Sequence, residues 1–319
     1  MAVLLQSEGA RILEGRADTV LLEFSRTSRA LGLNFIGPDY LVPTYGRINE
    51  DTDPILSYVG TTVKLSSAAH DFTFQKSDGS ITDYTNRQVL SLLSDAGAPL
   101  QDTRDVSHWT KDQVLKFATP FRDLMIQGLK VKLGAPFVQF EQNPSNTVTK
   151  SGKLITKWRP GNWMISWPRV DEGSHLFYGD HLNISLSEKY GLFSAYISVF
   201  TPFSERKGPT LVREKALSHA RSHIVWTSFT ERYFSSFSKD PYETIVGDKL
   251  LSSELIVVIP NHVSSLTPAF SGKPSARLAW SFWFKPIHKA PPSSPTYDDR
   301  FAVWVDAYTG EIIGGDAML

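Results

Sequence analysis

The chain has 319 residues, and 41% of them are apolar, enough for real hydrophobic cores; this excludes a globally disordered protein. Lysine plus arginine and aspartate plus glutamate number 33 each, so no net charge marks the chain for nucleic acid or an anionic membrane. Cysteine is absent, which excludes disulfides, thiolate metal sites and a cysteine nucleophile.

In chain order, Met1–Ala10 places Val3, Leu4 and Leu5 together with no basic residue before them, so it does not read as a signal peptide. No apolar run reaches the roughly 18–20 residues of a membrane span. Thr19–Phe24 opens an amphipathic helix with the stripe Val20, Phe24, Thr27, Leu31. Phe72–Ile81 reads as a hairpin turning at Gly79, and Gln88–Leu93 as a short helix. Thr110 with Gln113 forms a capping box ahead of a second helix, with the stripe Val114, Ala118, Phe121, Met125. Pro120 is expected to kink or break that helix after about two turns.

Trp163–Trp167 then reads as a strand, and Ile184–Phe193 as a hairpin turning at Gly191. A linker bounded by Pro202 and Pro209 precedes a third helix around Lys215–Ala220. Leu255–Ile259 and Ala276–Phe284 alternate as strands, Pro286–Tyr297 forms a long loop, and Val303–Ile312 closes the chain as a hairpin turning at Gly310. In all three hairpins glycine falls seven places after the first apolar residue. Leu21, Leu115 and Leu217 take one slot in the three aligned helices. This spacing predicts an α+β protein of three tandem units, each a helix followed by antiparallel strands, over 1–100, 101–204 and 205–319.

The last unit resembles the PepSY domain family. The resemblance rests on Arg213–Ala220, on Ala276–Trp280 and above all on V-D-A-Y-T-G-E-I-I-G-G, Val305–Gly315. The first two units depart from it: Gln75 and Ser187 stand where Asp306 would, and neither closes on Gly-Gly. The resemblance implies a cystatin-like helix on an antiparallel sheet, and an extracellular, periplasmic or cell-envelope location with a leader that lies outside this sequence. It also implies binding or inhibition of a polypeptide such as a peptidase. It brings no catalytic residues and no cofactor.

Independently of that resemblance, Asp306 ends a strand where its carboxylate can accept turn N–H groups, and Gly310 can adopt the left-handed conformation. His219 and His223 lie four apart on a helix, the spacing of a metal-binding pair, but H-E-x-x-H is absent. The simpler reading is one histidine held by a backbone carbonyl and one on the surface. S-x-x-K occurs at Ser204–Lys207 and Ser236–Lys239 without the companion motifs of an acyl-serine enzyme. Trp283, Trp304, Trp163 and Trp167 sit on predicted strands. Phe301, Val303 and Val305 should face the helix, which turns Trp304 to the opposite face. Such rings either fill junctions between units or present an aromatic surface, and their accessibility separates the two. The expectation is a non-enzymatic module with a polypeptide partner. The alternatives are a hydrolase with a site at a unit interface and a structural envelope protein.

Overall fold

A computed structural model describes residues 2–35, 62–66, 69–75, 80–93, 100–104, 106–142, 144–198, 203, 210–223, 245–261, 275–288 and 300–317. Gly79, Ser204–Lys207, Ser236–Lys239 and the loop from 289 to 297 lie outside the described residues. The protein is α+β, as its patterning predicts, and its contacts divide it into two compact units. One comprises Met1–Arg169 with Asp180–Phe200, the other Val170–Gly179 with Thr201–Leu319.

In the first unit, helix α1 (Ala2–Ala30) is followed by β1 (Thr62–Ser66), β2 (His70–Gln75) and β3 (Ile81–Asn86). Helices α2 (Arg87–Leu93) and α3 (Lys111–Met125) come next. Strands β4 (Lys132–Leu133), β5 (Phe137–Glu141), β6 (Pro144–Val148), β7 (Leu154–Trp158) and β8 (Asn162–Val170) follow, then β9 (Leu176–Ser187) and β10 (Gly191–Ile197). The sheet runs β1-β2-β3-β10-β9, with β8 beside β9 and β4 and β5 beside β8, while β6 and β7 form a two-stranded sheet of their own. β10 joins the two hairpins by pairing Tyr84 with Ala195.

The first two helix-plus-hairpin segments share one hydrophobic core. Leu21 and Phe24 from α1 meet Val114, Ala118 and Phe121 from α3 over Phe72, Tyr84 and Ile184. Phe24 stands edge-on to Tyr84 at 5.0 Å and to Phe121 at 5.6 Å. The buried stripe of α3 is the predicted one. That of α1 is Ala17, Leu21, Phe24 and Ser28, displaced from the predicted Val20, Phe24, Thr27, Leu31. Val20 and Leu21 are adjacent and both apolar, so either could lead the stripe, and the contacts of Phe24 decide it. Pro120 does not break α3, which continues to Met125. Phe121 and Met125 are buried beyond the proline, and the Thr119 hydroxyl donates to the Leu115 carbonyl at 2.8 Å across the preceding turn. The capping box forms as expected: Gln113 N donates to Thr110 Oγ1, and Thr110 N donates to Gln113 Oε1.

The second unit packs helix α4 (Arg213–His223) on β11 (Ile245–Val258), β12 (Arg277–His288), β13 (Phe301–Asp306) and β14 (Ile312–Ala317), in that order and all antiparallel. Leu176 and Phe177, the start of β9, belong to this unit and pair parallel to Ile256 and Val257. Strand β12 passes through Pro286 to His288, two residues past the predicted start of the loop. Phe301, Val303 and Val305 pack with Ala216 and Ala220 of α4, while Ala302 and Trp304 belong to a separate cluster. That is the two-faced pleat the alternation predicts.

Candidate functional site

The hairpin turns at Gly310 and Gly191 are built alike. In the second unit, Tyr308 N and Thr309 N donate to Asp306 Oδ1 at 2.9 and 3.0 Å, and Arg277 Nη1 donates to Oδ2 at 3.1 Å. Gly310 follows at φ 77°. In the first unit Ser187 takes the place of Asp306. Its Oγ accepts from Lys189 N and Tyr190 N, both at 3.3 Å, and Gly191 follows at φ 75°. A hydroxyl thus does with weaker bonds what the carboxylate does, so departure from the PepSY string leaves the turn geometry intact.

A side chain on or just past a neighbouring helix fastens each turn. His219 of α4 hydrogen-bonds through Nδ1 to the Gly310 carbonyl at 2.9 Å, so Nδ1 carries the proton. Asn34, just past α1, donates from Nδ2 to the Lys189 carbonyl at 2.8 Å. His219 is therefore the carbonyl-bound histidine of the simpler reading, with one ring nitrogen already engaged. The His223 side chain lies outside the described residues, and no group of three or more metal-ligating side chains occurs among the described residues.

The residue after Ser187 carries a dense polar site. Glu188 occupies the slot held by Ala307 in the last hairpin and Lys76 in the first. Its Oε1 accepts from Ser107 Oγ at 2.5 Å, Trp109 N at 3.1 Å and Trp163 Nε1 at 3.0 Å. His108 N reaches both oxygens, at 3.1 and 3.0 Å, and His108 Nδ1 lies 3.2 Å from Oε2. Burial pushes the Glu188 carboxyl up, but the hydrogen bonds from Ser107, Trp163, His108 and Trp109 outweigh it and hold the group at about 2. So low a value suits neither a general acid nor a base near neutral pH. Glu188 is an anchor that ties the 107–109 segment and β8 to the 188–190 turn.

This anchor floors a cleft of about 430 Å³, walled by Val106, His108, Trp109, Phe140, Lys189 and Tyr190. Its rings are braced from behind: Trp109 packs edge-on to Phe117 at 4.8 Å, and Phe140 lies against Trp163 at 5.2 Å. Gly161 lies on the Phe140 ring so closely that a Cβ would overlap it. The Lys189 ammonium stands 5.1 Å from the Tyr190 ring centre. Aromatic walls with a few polar groups at the rim suit an apolar or aromatic side chain of a ligand. A second groove of about 560 Å³ lies between α1 and α3, lined by Ile12, Val20, Ile81, Leu124 and Leu129, and has no aromatic wall.

The tryptophans singled out from sequence do not form an open aromatic face. Trp163, Trp167 and Trp304 are only 5%, 2% and 3% exposed, and Trp283 is partly buried against the cluster of Trp304. Trp163 does take part in the site, as a donor to Glu188 from below the cleft. Trp304 stacks edge-on against Tyr178 at 4.9 Å, and the Tyr178 hydroxyl donates to Asp316. Nothing in the sequence marks the cleft, because its donors at 107–109 and their acceptor at 188 are about eighty residues apart and match no motif.

No protein-family model matches the chain, and no curated protein matches it. Among solved structures, the Bacillus megaterium YpeB C-terminal domain is similar at a TM-score of 0.36 and 9% identity, covering 81% of this chain and 82% of that chain. A likeness of that size carries no argument about fold or function. The PepSY resemblance therefore rests on the residues quoted for it.

Proposed function

We propose that the protein is a non-enzymatic binding protein that holds a segment of a polypeptide partner in the Trp109–Tyr190 cleft of its first unit. One observation carries the reading. The cleft has braced aromatic walls, while the carboxylate at its floor is saturated with hydrogen bonds and held at about 2, where it does no proton transfer near neutral pH. Such a pocket binds an apolar side chain and leaves it unchanged. The PepSY resemblance adds an exported location and a peptidase as the kind of partner.

The test is site-specific photo-crosslinking. A photoreactive residue in place of Val106, which is exposed at the rim, should give a discrete cross-linked polypeptide from the native extracellular or envelope fraction. Tyr190→Ala removes a wall and should abolish that product. The reading is overturned if no polypeptide is captured at micromolar concentration, or if capture survives Tyr190→Ala. An active-site probe for peptidases, applied to the product, tests the partner class, and cell fractionation tests the location.

A further inference from the structure

We infer that the β6–β7 hairpin is a docking element for an anionic lipid surface. The inference rests on the hairpin alone and is independent of the cleft. Strands β6 and β7 form their own two-stranded sheet, apart from the sheet that buries the core. Near the turn, Val148 is 65% exposed, Leu154 59% and Ile155 38%. Val148 pairs with Leu154, and Thr147 pairs with Ile155. Directly paired residues share a face and successive residues alternate, so apolar side chains project from both faces of the hairpin.

That distribution argues for the partner. A hairpin that docks flat on another protein buries one face and keeps the other polar. Exposed branched side chains on both faces match a medium that is apolar on every side, such as the acyl boundary of a bilayer.

The charges agree. Residues 144–158 hold three lysines and no acidic residue. Lys150 and Lys153 lie at the turn, further from the base than the Val148–Leu154 pair, and their long stems let the ammonium groups reach back to lipid phosphates beside it. Lys157, towards the base, pairs with Asp102 at 3.6 Å. The base is braced by two hydrogen bonds of 2.8 Å between the backbones of Trp158 and Gln101, and by Arg104 over the Trp158 ring. A rigid root keeps the tip exposed. The neutral net charge of the whole chain conceals this local basic, apolar patch.

The full chain, which has no cysteine, takes a single label through Ser151→Cys at the turn. An environment-sensitive dye there is titrated with vesicles of phosphatidylcholine alone, or with about one third phosphatidylglycerol. The anionic vesicles should shift the dye to the blue and co-sediment the protein, and raised salt should release it. Lys150→Glu with Lys153→Glu should weaken binding by roughly thirtyfold or more, at about fivefold per lysine lost and a further loss for each charge reversed. Val148→Ser with Leu154→Ser should remove the blue shift. All four side chains are exposed, so these variants keep the fold, which circular dichroism checks. No binding to anionic vesicles overturns the inference. So does equal binding to both vesicle types, wild-type binding by the variants, or cross-linking of the hairpin to an acidic protein with no vesicle binding.

Discussion

At the scale of single residues, the last turn shows how much one side chain can hold. Asp306 is buried, and its two oxygens together meet two turn N–H groups and a guanidinium. Alanine there leaves two backbone donors without their acceptor and removes the carboxylate from the partly exposed Arg277 guanidinium. Each such loss costs on the order of 1–3 kcal/mol. Asp306→Ala is therefore expected to destabilise the second unit by about 3 kcal/mol, and Asp306→Asn by less, because the amide oxygen can still accept from the turn. Equilibrium unfolding in urea measures both. Equal losses would show that charge, not hydrogen bonding, is what the turn needs. The glycines rank in the same way. Gly310→Ala meets the left-handed penalty of roughly 1–2 kcal/mol and presses on the His219 ring. Gly191→Ala meets that penalty and also the Asn34 carbonyl oxygen, part of a backbone that cannot swing aside.

At the scale of elements, α3 sets a helix propensity against packing. Proline in a helix interior costs up to about 3 kcal/mol relative to alanine. Yet α3 runs on past Pro120 because Phe121 and Met125 must stay on the buried face with Val114 and Ala118. Pro120→Ala is accordingly expected to raise the stability of the first unit by roughly 1–2 kcal/mol, somewhat less than the propensity difference because the unfolded chain gains freedom. A rise in the unfolding midpoint checks this; a fall would show that the proline ring itself fills the core. The same contest explains what the sequence made legible. The α3 stripe, its capping box and the glycine turns depend on residues within one turn of helix or one hairpin, so local pattern reveals them. The stripe of α1 slips because Val20 and Leu21 offer two overlapping faces, and only Tyr84 and Phe121, far along the chain, choose between them. The tryptophan positions were readable as strand positions, but their burial depends on what covers the sheet. The Glu188 site was unreadable for the same reason: an acidic residue after a turn is unremarkable until residues 107–109 close over it.

At the scale of the whole molecule, buried His70 and part-buried Glu188 of the first unit contribute to its sensitivity to acid. His70 is buried between Phe35 and Tyr84, and burial lowers it from 6.5 to about 4 against the opposing pull of Asp71. The folded state favours its neutral form, so this stabilisation is complete above pH 6.5 and is lost as pH falls from 6.5 to about 4. Glu188 is depressed from 4.5 to about 2, so its stabilisation is complete above pH 4.5 and is lost between 4.5 and about 2. For the buried His70 the shift corresponds to roughly 3 kcal/mol once its window has been crossed; for Glu188, which opens onto the cleft, solvent screening makes the loss smaller. Against the roughly 5–15 kcal/mol that holds an ordinary domain, these losses are a sizeable fraction of the stability of the first unit. Stability measured by urea unfolding at a series of pH values should therefore begin to fall already below pH 6.5, above the range of ordinary carboxylates, and continue to fall to about pH 2. His70→Phe keeps a ring between Phe35 and Tyr84 but cannot take a proton, and should flatten the upper window while leaving the lower one. Glu188→Gln should do the reverse and weaken the fold at neutral pH, because an amide cannot accept from every donor the carboxylate serves. A wild-type protein equally stable at pH 7 and pH 5 would mean that His70 takes up its proton within the folded core, and that the stacked rings do not exclude the charge.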